Sequence, residues 1–454
     1  MSLVLWGGGA LALPLAWLVR HPLLLQWRPV AMPGLLIASM AALCLLCWQW
    51  RRFAVPPGQR RLLLALWLTV LGLACEREAS FRWHQYQVLS VTDAETQALG
   101  AHLIVGYNDL PQLKVLVQRG LVGGIFIGAN NVQGRSAAAI RVAIAELQSL
   151  RQIAGLAPLI VSTDQEGGLV SRMSPPLPRL APLAEVIAGA PQEAIETLAF
   201  AYGAQHGQEL AALGVNINFA PLADLSMPNT HHRLDFRSLI ERRAIDADPQ
   251  RVRAAVVGYA HGLEAQGVHA TLKHFPGLGR VTQDTHLFSA PLAASEGELE
   301  TSDWIPFREG LRATQSLLMV GHATLSAVDT SQPASLSYKV VQGIVRERWG
   351  HDGILVTDDL AMAPVVQHGL CAAGVDAINA GVDLLLVSYD TDQYYEVMHC
   401  LLQAQRQGRL HTLPLNASQR RLHKLQDSLR AMATPRIADS RHPADAEMRT
   451  VSSQ

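Results

Sequence analysis

Eight short apolar segments, each ended by polar residues, restrict the fold of this chain more than any other feature of its sequence. They are His102–Tyr107, Gly123–Gly128, Pro158–Asp164, Asn216–Pro221, His269–His274, Leu317–His322, Gly353–Asp358 and Asp383–Ser388. Each is too short for a helix and carries Val, Ile or Leu at odd and even positions alike, which is typical of a strand buried on both faces.

Longer segments of helical character lie between these runs: Ala137–Leu150, Pro249–Gln266, Tyr338–Trp349 and Thr391–Arg406 are examples. Eight βα units in roughly 330 residues predict an α/β protein built as a (β/α)8 barrel. An open, doubly wound sheet is the alternative, because alternation of strands and helices does not by itself show closure.

The first 75 residues contain three uncharged apolar runs, Leu3–Val19, Val30–Trp48 and Leu62–Cys75. A membrane-spanning helix needs about 20 apolar residues, with a lower limit of about 17, so the first two runs are long enough and the third is short. Helices of soluble proteins keep a polar face, and these runs have none. Residues 1–75 are therefore predicted to anchor the protein in a membrane through two or three spans.

The loop before the third run carries four arginines: Arg51, Arg52, Arg60 and Arg61. The positive-inside rule places such a loop in the cytoplasm, so the chain after Cys75 is expected outside the inner membrane of a bacterium, in the periplasm or beyond. Residues 60–75 also resemble a signal peptide that ends in Leu73-Ala74-Cys75. Because Gly72 stands where a lipoprotein usually has an aliphatic residue, cleavage and lipidation at Cys75 stay open.

Residues 76–432 are predicted to form one globular domain that contains the barrel, and residues 433–454 a disordered polar tail. The 37 Lys and Arg residues nearly cancel the 38 Asp and Glu residues, so no nucleic-acid partner is expected. The cysteines show neither a zinc spacing nor a disulfide framework and are expected to be ordinary buried residues. No metal and no cofactor is expected.

Polar residues collect where the predicted strands end. Asp164 ends the third strand, Lys273 and His274 the fifth, His322 the sixth, and Asp358 the seventh, followed by Asp359. A (β/α)8 barrel forms its active site at the carboxyl ends of its strands, so these side chains are expected to meet in one pocket. His322, like Asp224 after the fourth strand, could either line that pocket or support it.

Cleavage of a glycosidic bond needs a carboxylate on one side of the sugar and a proton donor on the other. Asp358 or Asp359 could be the carboxylate, although Asp359 has the position of a residue that caps the next helix. The loop after the fifth strand contains Asp284-Thr285-His286. An Asp two residues from a His can orient the imidazole, so His286 is the predicted proton donor.

With these motifs the sequence resembles glycoside hydrolase family 3, in its β-N-acetylhexosaminidase branch, over roughly residues 95–410. The matching motifs are Asp164–Gly168 with Arg172, Asn218–Pro221 with Asp224, Lys273–Gly279 followed by Asp284–His286, and Thr357–Met362. One departure is Leu278, which stands where the family usually has histidine.

The resemblance implies that Asp358 is the nucleophile, His286 the acid/base and Asp284 its partner. It also implies that five residues bind the terminal N-acetylglucosamine: Asp164, Arg172, Arg243, Lys273 and His274. Another alignment would use Arg237 in place of Arg243. The activity so implied is retaining hydrolysis of terminal β-linked N-acetylglucosamine, from peptidoglycan fragments if the domain is periplasmic. A glycan-binding protein without turnover and a phosphate-using phosphorylase are the alternatives.

Overall fold

The computed structural model describes residues 2–50, 56–227 and 238–433. Arg237 and the predicted tail from residue 434 onward lie outside these ranges. The chain begins with three long helices, α1 (Ser2–Leu18), α2 (Arg28–Trp50) and α3 (Pro57–Ser90), and continues into an α/β barrel.

Eight parallel strands close the barrel in the order in which they occur in the chain. They are β1 (Leu103–Val105), β2 (Gly124–Ile127), β3 (Ile160–Thr163), β4 (Ile217–Asn218), β5 (His269–Phe275), β6 (Leu317–Val320), β7 (Leu355–Asp359) and β8 (Leu384–Val387). Pairing of β1 with both β2 and β8 completes the closure. The predicted barrel is therefore confirmed, the open sheet is excluded, and each of the eight apolar segments overlaps one strand, with β5 and β7 each extending one residue beyond the predicted end.

The strands are apolar at both parities because both of their faces are buried. In β8, Leu384 and Leu386 point into the barrel and pack with Ile104 and Ile160. Leu385 belongs to the larger core between the strands and the surrounding helices. Each strand thus separates two apolar layers, as in other parallel barrels.

The helices that follow α3 form the outer layer and its connections. They are α4 (Ala94–Gly100), α5 (Leu110–Gln118), α6 (Ala129–Val132), α7 (Ala137–Ile153), α8 (Leu183–Val186), α9 (Gln192–Leu213), α10 (Ile240–Arg243), α11 (Pro249–Ala265), α12 (Glu296–Glu300), α13 (Ile305–Ala313), α14 (Ala363–His368), α15 (Leu370–Ala380), α16 (Gln393–Arg406) and α17 (Thr412–Ala433). The segment predicted as a helix over 338–349 is a π-helix, Lys339–Arg348.

Helix α17 covers the amino-terminal end of the barrel. Its Leu422, Leu425 and Leu429 join the apolar cluster inside the strands. Arg421 donates to the carboxylate of Asp383, which immediately precedes β8, at 2.9 Å. Because α17 covers this end, a ligand can enter only from the opposite end, where the carboxyl ends of the strands lie.

The three amino-terminal helices pack against each other, with α1 parallel to α3. The indole Nε1 of Trp67 donates to the carbonyl of Leu5 at 3.2 Å, and the guanidinium of Arg77 lies 4.5 Å from the ring of Trp17. Helix α3 is continuous across the predicted domain boundary at residue 75 and ends at Ser90. Within the described ranges, Arg28–Trp48 is long and apolar enough to cross a membrane, whereas the apolar part of α1 is shorter.

The expectation for the cysteines was wrong. Cys371 and Cys400 form a disulfide that joins α15 to α16, and Cys44, Cys47 and Cys75 are exposed. Two cysteines separated by 29 residues give no local pattern, so the pairing depends on how the two helices pack.

Candidate active site

A cavity of about 680 Å³ opens at the carboxyl ends of the strands. Seven of the residues predicted for the site line it: Asp164, Arg172, Arg243, Lys273, His274, His286 and Asp358. The eighth, Asp284, is fully buried behind His286. The barrel thus brings together side chains that are almost 200 positions apart in the sequence.

Asp358 and Asp359 end β7 but face different surroundings. Burial alone would raise the pKa of Asp358, but the imidazoles of His274, His322 and His286 outweigh it and hold that pKa below its usual range. Its Oδ1 accepts the N–H of Asp359 at 2.8 Å. Asp358 is therefore a carboxylate that stays ionised at neutral pH beside an open cavity, as a nucleophile requires.

Asp359 is held by backbone and side-chain groups instead. Its carboxylate accepts the N–H groups of Ala361, Ser388 and Tyr389 at 2.7–2.9 Å, and also the hydroxyl of Ser388. Burial, only partly offset by these bonds, raises its pKa. Asp359 does not cap the next helix as expected, because the N-cap of α14 is Met362; its role is structural in another way, since it fixes the loop after β8 to the end of β7.

The loop after β5 carries the predicted dyad. Asp284 Oδ1 lies 2.9 Å from Nδ1 of His286 and also accepts the His286 backbone N–H at 2.9 Å. The His286 side chain is 37% exposed, whereas that of Asp284 is inaccessible. A buried carboxylate at Nδ1 leaves Nε2 as the nitrogen that can exchange a proton with a bound molecule.

Buried charges form a second group on the other side of the cavity. The Lys273 ammonium lies 2.6 Å from Oδ1 of Asp164 and 2.6 Å from Oε1 of Glu166. Glu166 also accepts two bonds from Arg243, from Nε at 3.0 Å and from Nη2 at 2.6 Å. Burial alone would raise the pKa of Glu166, but the two cations lower it well below its usual range.

These geometries agree with an independent comparison of the sequence. A family model described as "Glycosyl hydrolase family 3 N terminal domain" matches residues 91–425. The chain belongs to glycoside hydrolase family 3. It is therefore a glycoside hydrolase, and residues 1–90 lie outside the matched domain.

Individual members of the family resemble the chain over the same region. A "Beta-hexosaminidase" of Stenotrophomonas maltophilia is 33% identical over 290 residues, which is 63% of this chain and 82% of that protein. A family 3 β-N-acetylglucosaminidase from Paenibacillus superposes with a TM-score of 0.68 at 30% identity, over 75% of this chain and 63% of that one. A β-N-acetylhexosaminidase from Beutenbergia cavernae gives 0.66 at 25% identity, over 74% and 100%.

Glu166 is the residue of this family 3 site that sequence reasoning missed. It lies two positions after Asp164 in a motif that was recognised, but its partners are 77 and 107 positions away. The turn that follows requires glycine, because Gly167 has a φ of 94° and a Cβ there would lie 1.8 Å from the Tyr202 hydroxyl oxygen. The turn thereby presents Glu166 to the two cations.

The two undecided residues both prove to be supports. Asp224 is fully buried and lies 2.8 Å from Nδ1 of His274, and its other oxygen accepts the N–H of Leu278. His322 lies between the hydroxyl of Ser335 at 2.7 Å and the carbonyl of Asp359 at 3.0 Å. Neither residue lines the cavity. Asp224 orients His274, which does, and His322 bonds the end of β7.

The cavity has one wall that the sequence did not predict. Five residues between α1 and α2 line it: His21, Pro22, Leu23, Leu25 and Gln26. They lie outside the family domain, so neither the motifs nor the barrel pattern could have pointed to them.

Proposed function

We propose that this family 3 enzyme is a retaining β-N-acetylhexosaminidase that releases terminal β-linked N-acetylglucosamine. One observation carries the proposal: Asp358, an ionised and half-buried carboxylate, lines the same cavity as His286, whose other ring nitrogen is held by Asp284. The names of the relatives, among them "Beta-hexosaminidase", support the same activity.

In the first step, Asp358 attacks the anomeric carbon and forms a bond to it while the bond to the glycosidic oxygen breaks. His286 donates the proton of Nε2 to that departing oxygen. The Asp284 carboxylate stabilises the imidazolium before the transfer and keeps the ring oriented after it. In the second step, His286 takes a proton from water, and the oxygen of that water displaces Asp358 from the sugar.

The charged group on the other side of the cavity would hold the terminal sugar. Lys273 and Arg243 are positioned by Glu166, and Asp164 is bonded to Lys273, so donors and an acceptor are fixed before a substrate arrives. Fixed polar groups bind sugar hydroxyls and the acetamido group without a further ordering cost. His274, oriented by Asp224, and Arg172 on the exposed rim complete the set of five binding residues.

The domain is further proposed to lie outside the inner membrane, anchored by α1, α2 and α3. Large apolar side chains of these helices face outward, including Leu3, Ile37 and Leu62 at 86%, 69% and 60% exposure. An apolar surface of this extent needs a cover, and a bilayer provides one. The Cys371–Cys400 disulfide fits an oxidising compartment. Peptidoglycan fragments would then be the substrates.

Turnover is tested with the full chain in detergent on N,N′-diacetylchitobiose, and the released anomer is identified with 4-nitrophenyl N-acetyl-β-glucosaminide, whose leaving group has no anomeric centre of its own. NMR should show β-N-acetylglucosamine first, and a first product of the α-anomer would contradict retention. Sugar 1-phosphate formed in phosphate buffer would identify a phosphorylase instead, and binding without turnover would identify a glycan-binding protein.

The location is tested by protease treatment of spheroplasts. The barrel should be digested while the inner membrane is intact, and protection until lysis would refute the proposed orientation.

A further inference from the structure

The loop between α1 and α2, residues 19–27, forms part of the active-site cavity although it belongs to the predicted membrane anchor. Leu23 is 53% exposed, and Gln26 is also exposed, so both lie at the opening. Lys273, which is 2% exposed, and the half-buried Asp358 line the same cavity at the ends of β5 and β7. The loop therefore borders the mouth, and the catalytic and charged groups form the floor.

A buried arginine fixes this loop to the barrel. Arg28 donates from two nitrogens to the carboxylate of Asp390, at 3.0 and 2.5 Å, and from Nη1 to Asp392 at 2.8 Å. It also donates to the carbonyls of Val19 and Arg20 at 3.3 and 3.1 Å, so it binds the start of the loop as well. A bidentate arginine–carboxylate pair of this kind is geometrically specific.

A second arginine binds the loop to α3. Arg20 donates to Asp392 at 2.7 Å and also bonds Glu78, and its guanidinium lies 3.9 Å above the ring of Phe81. Both ends of the loop are thus held by charges on elements that pack against the barrel.

The attachment point is next to the catalytic strand end. Asp390 follows Ser388 and Tyr389, whose N–H groups both bond the Asp359 carboxylate. Asp359 is the neighbour of Asp358. The α1–α2 loop is therefore connected to the end of β7 through the Arg28–Asp390 ion pair, the backbone of residues 388–390 and the bonds of that backbone to Asp359.

These observations indicate what the loop contacts. A terminal sugar that reaches Asp358 fills the floor of the cavity, so the rest of the glycan must leave through the mouth. We infer that the α1–α2 loop binds the part of the substrate beyond the scissile bond, that is, the leaving group. Leu23 and Leu25 would pack against the C–H face of the next sugar, and the amide of Gln26 would bond its hydroxyls.

This inference rests on the proposed function, and it adds that the membrane anchor contributes to substrate selection. If the anchor spans the bilayer, the loop lies on the same side as the barrel, because the end of α1 lies beside Arg77 and Glu78, which follow the apolar part of α3 and precede the barrel. The mouth then opens at the membrane surface, and the glycans that reach it are those present there.

The test compares the full-length double variant Leu23→Ser/Leu25→Ser with the wild type. Two quantities are measured: kcat/KM for N,N′,N″-triacetylchitotriose, which extends through the mouth, and the inhibition constant of free N-acetylglucosamine, which fills the floor alone. We expect kcat/KM to fall about tenfold because apolar contact is lost, with the inhibition constant unchanged. Leu24→Ser is the matched control, because Leu24 lies in the same loop but does not line the cavity.

Three outcomes overturn the inference: unchanged kcat/KM in the double variant, an equal loss in Leu24→Ser, or weaker binding of N-acetylglucosamine to the same extent. Gln26→Ala, at an exposed position, provides a second variant if the double substitution is poorly folded. A wild-type enzyme without activity on either chito-oligosaccharide would instead refute the proposed function, which keeps the two failures distinguishable.

Discussion

The replacement Glu166→Gln tests whether the buried charges are held as described. Glu166 makes three contacts with cations, two from Arg243 and one from Lys273, and its side chain is 8% exposed. The Gln side chain has the same shape as Glu but no charge. Its NH2 group would face an N–H donor of Arg243 or Lys273 and could not accept a bond from it. Breaking a buried ion pair by removing one partner costs about 3–5 kcal/mol, because the other charge is left uncompensated.

For a domain of this size, that loss lowers Tm by about 4–7 °C, which calorimetry resolves. Lys273 keeps Asp164 as a partner, whereas Arg243 loses its only described carboxylate bond, so KM for N-acetylglucosaminides should rise by about tenfold or more. Glu193→Gln, at an exposed glutamate, should change stability by less than about 0.5 kcal/mol and serves as the control.

The pH dependence of this effect follows from the lowered pKa of Glu166. A carboxylate whose folded pKa is depressed stabilises the protein above its unfolded pKa, and this stabilisation is lost as pH falls through the folded pKa. The difference in Tm between the wild type and Glu166→Gln should therefore become smaller as the pH falls. An unchanged Tm at neutral pH, or a difference in Tm that widens in acid, would show that Glu166 does not hold Arg243 and Lys273 as an ionised partner.

Three further predictions concern the dyad, the acidic pair and the disulfide. Asp358→Asn should reduce kcat by about three orders of magnitude or more with little change in Tm. Asp359→Asn should lower the free energy of unfolding by about 1–3 kcal/mol, because an amide cannot accept all the bonds that the carboxylate accepts. Asp284→Asn should lower kcat/KM about 100-fold or more for chitobiose but less for a 4-nitrophenyl glycoside, whose leaving group needs little protonation. Cys371→Ser should cost about 2–4 kcal/mol, and thiol titration of the unfolded wild type should find three free cysteines of five.

Each of these has a clear contrary result. Full turnover by Asp358→Asn would remove it from the chemistry, and equal losses on both substrates would mean that Asp284 does not act through protonation. Five titratable thiols would show that Cys371 and Cys400 are not joined in this protein.

The strands could be predicted from sequence because their burial is a local property. A segment such as Leu384–Val387, apolar at both parities and four residues long, has few alternatives to a strand covered on both sides. The barrel was predicted from the number of βα units, but only the structure excluded the open sheet, since closure depends on the pairing of β1 with β8 across most of the chain.

The residues of the candidate site likewise fall into those that local sequence could identify and those that it could not. Asp358, Asp284 and His286 could be singled out as candidates because they occur in short motifs, and the structure places Asp358 and His286 at one cavity with Asp284 buried behind His286. Glu166 and the choice between lining and supporting roles for His322 and Asp224 could not, because each depends on partners far away in sequence.

By itself, then, the sequence determined that the strands are buried on both faces, that the first helices are apolar and which residues are candidates for the chemistry, all of which are encoded within a few neighbouring positions. Only the tertiary structure decided that Cys371 pairs with Cys400, that Glu166 holds Arg243 and Lys273, and that residues between α1 and α2 border the active site. The physical reason is that hydrogen bonds, ion pairs and disulfides act over a few ångströms in space, and the chain must fold before residues distant in sequence come within that range.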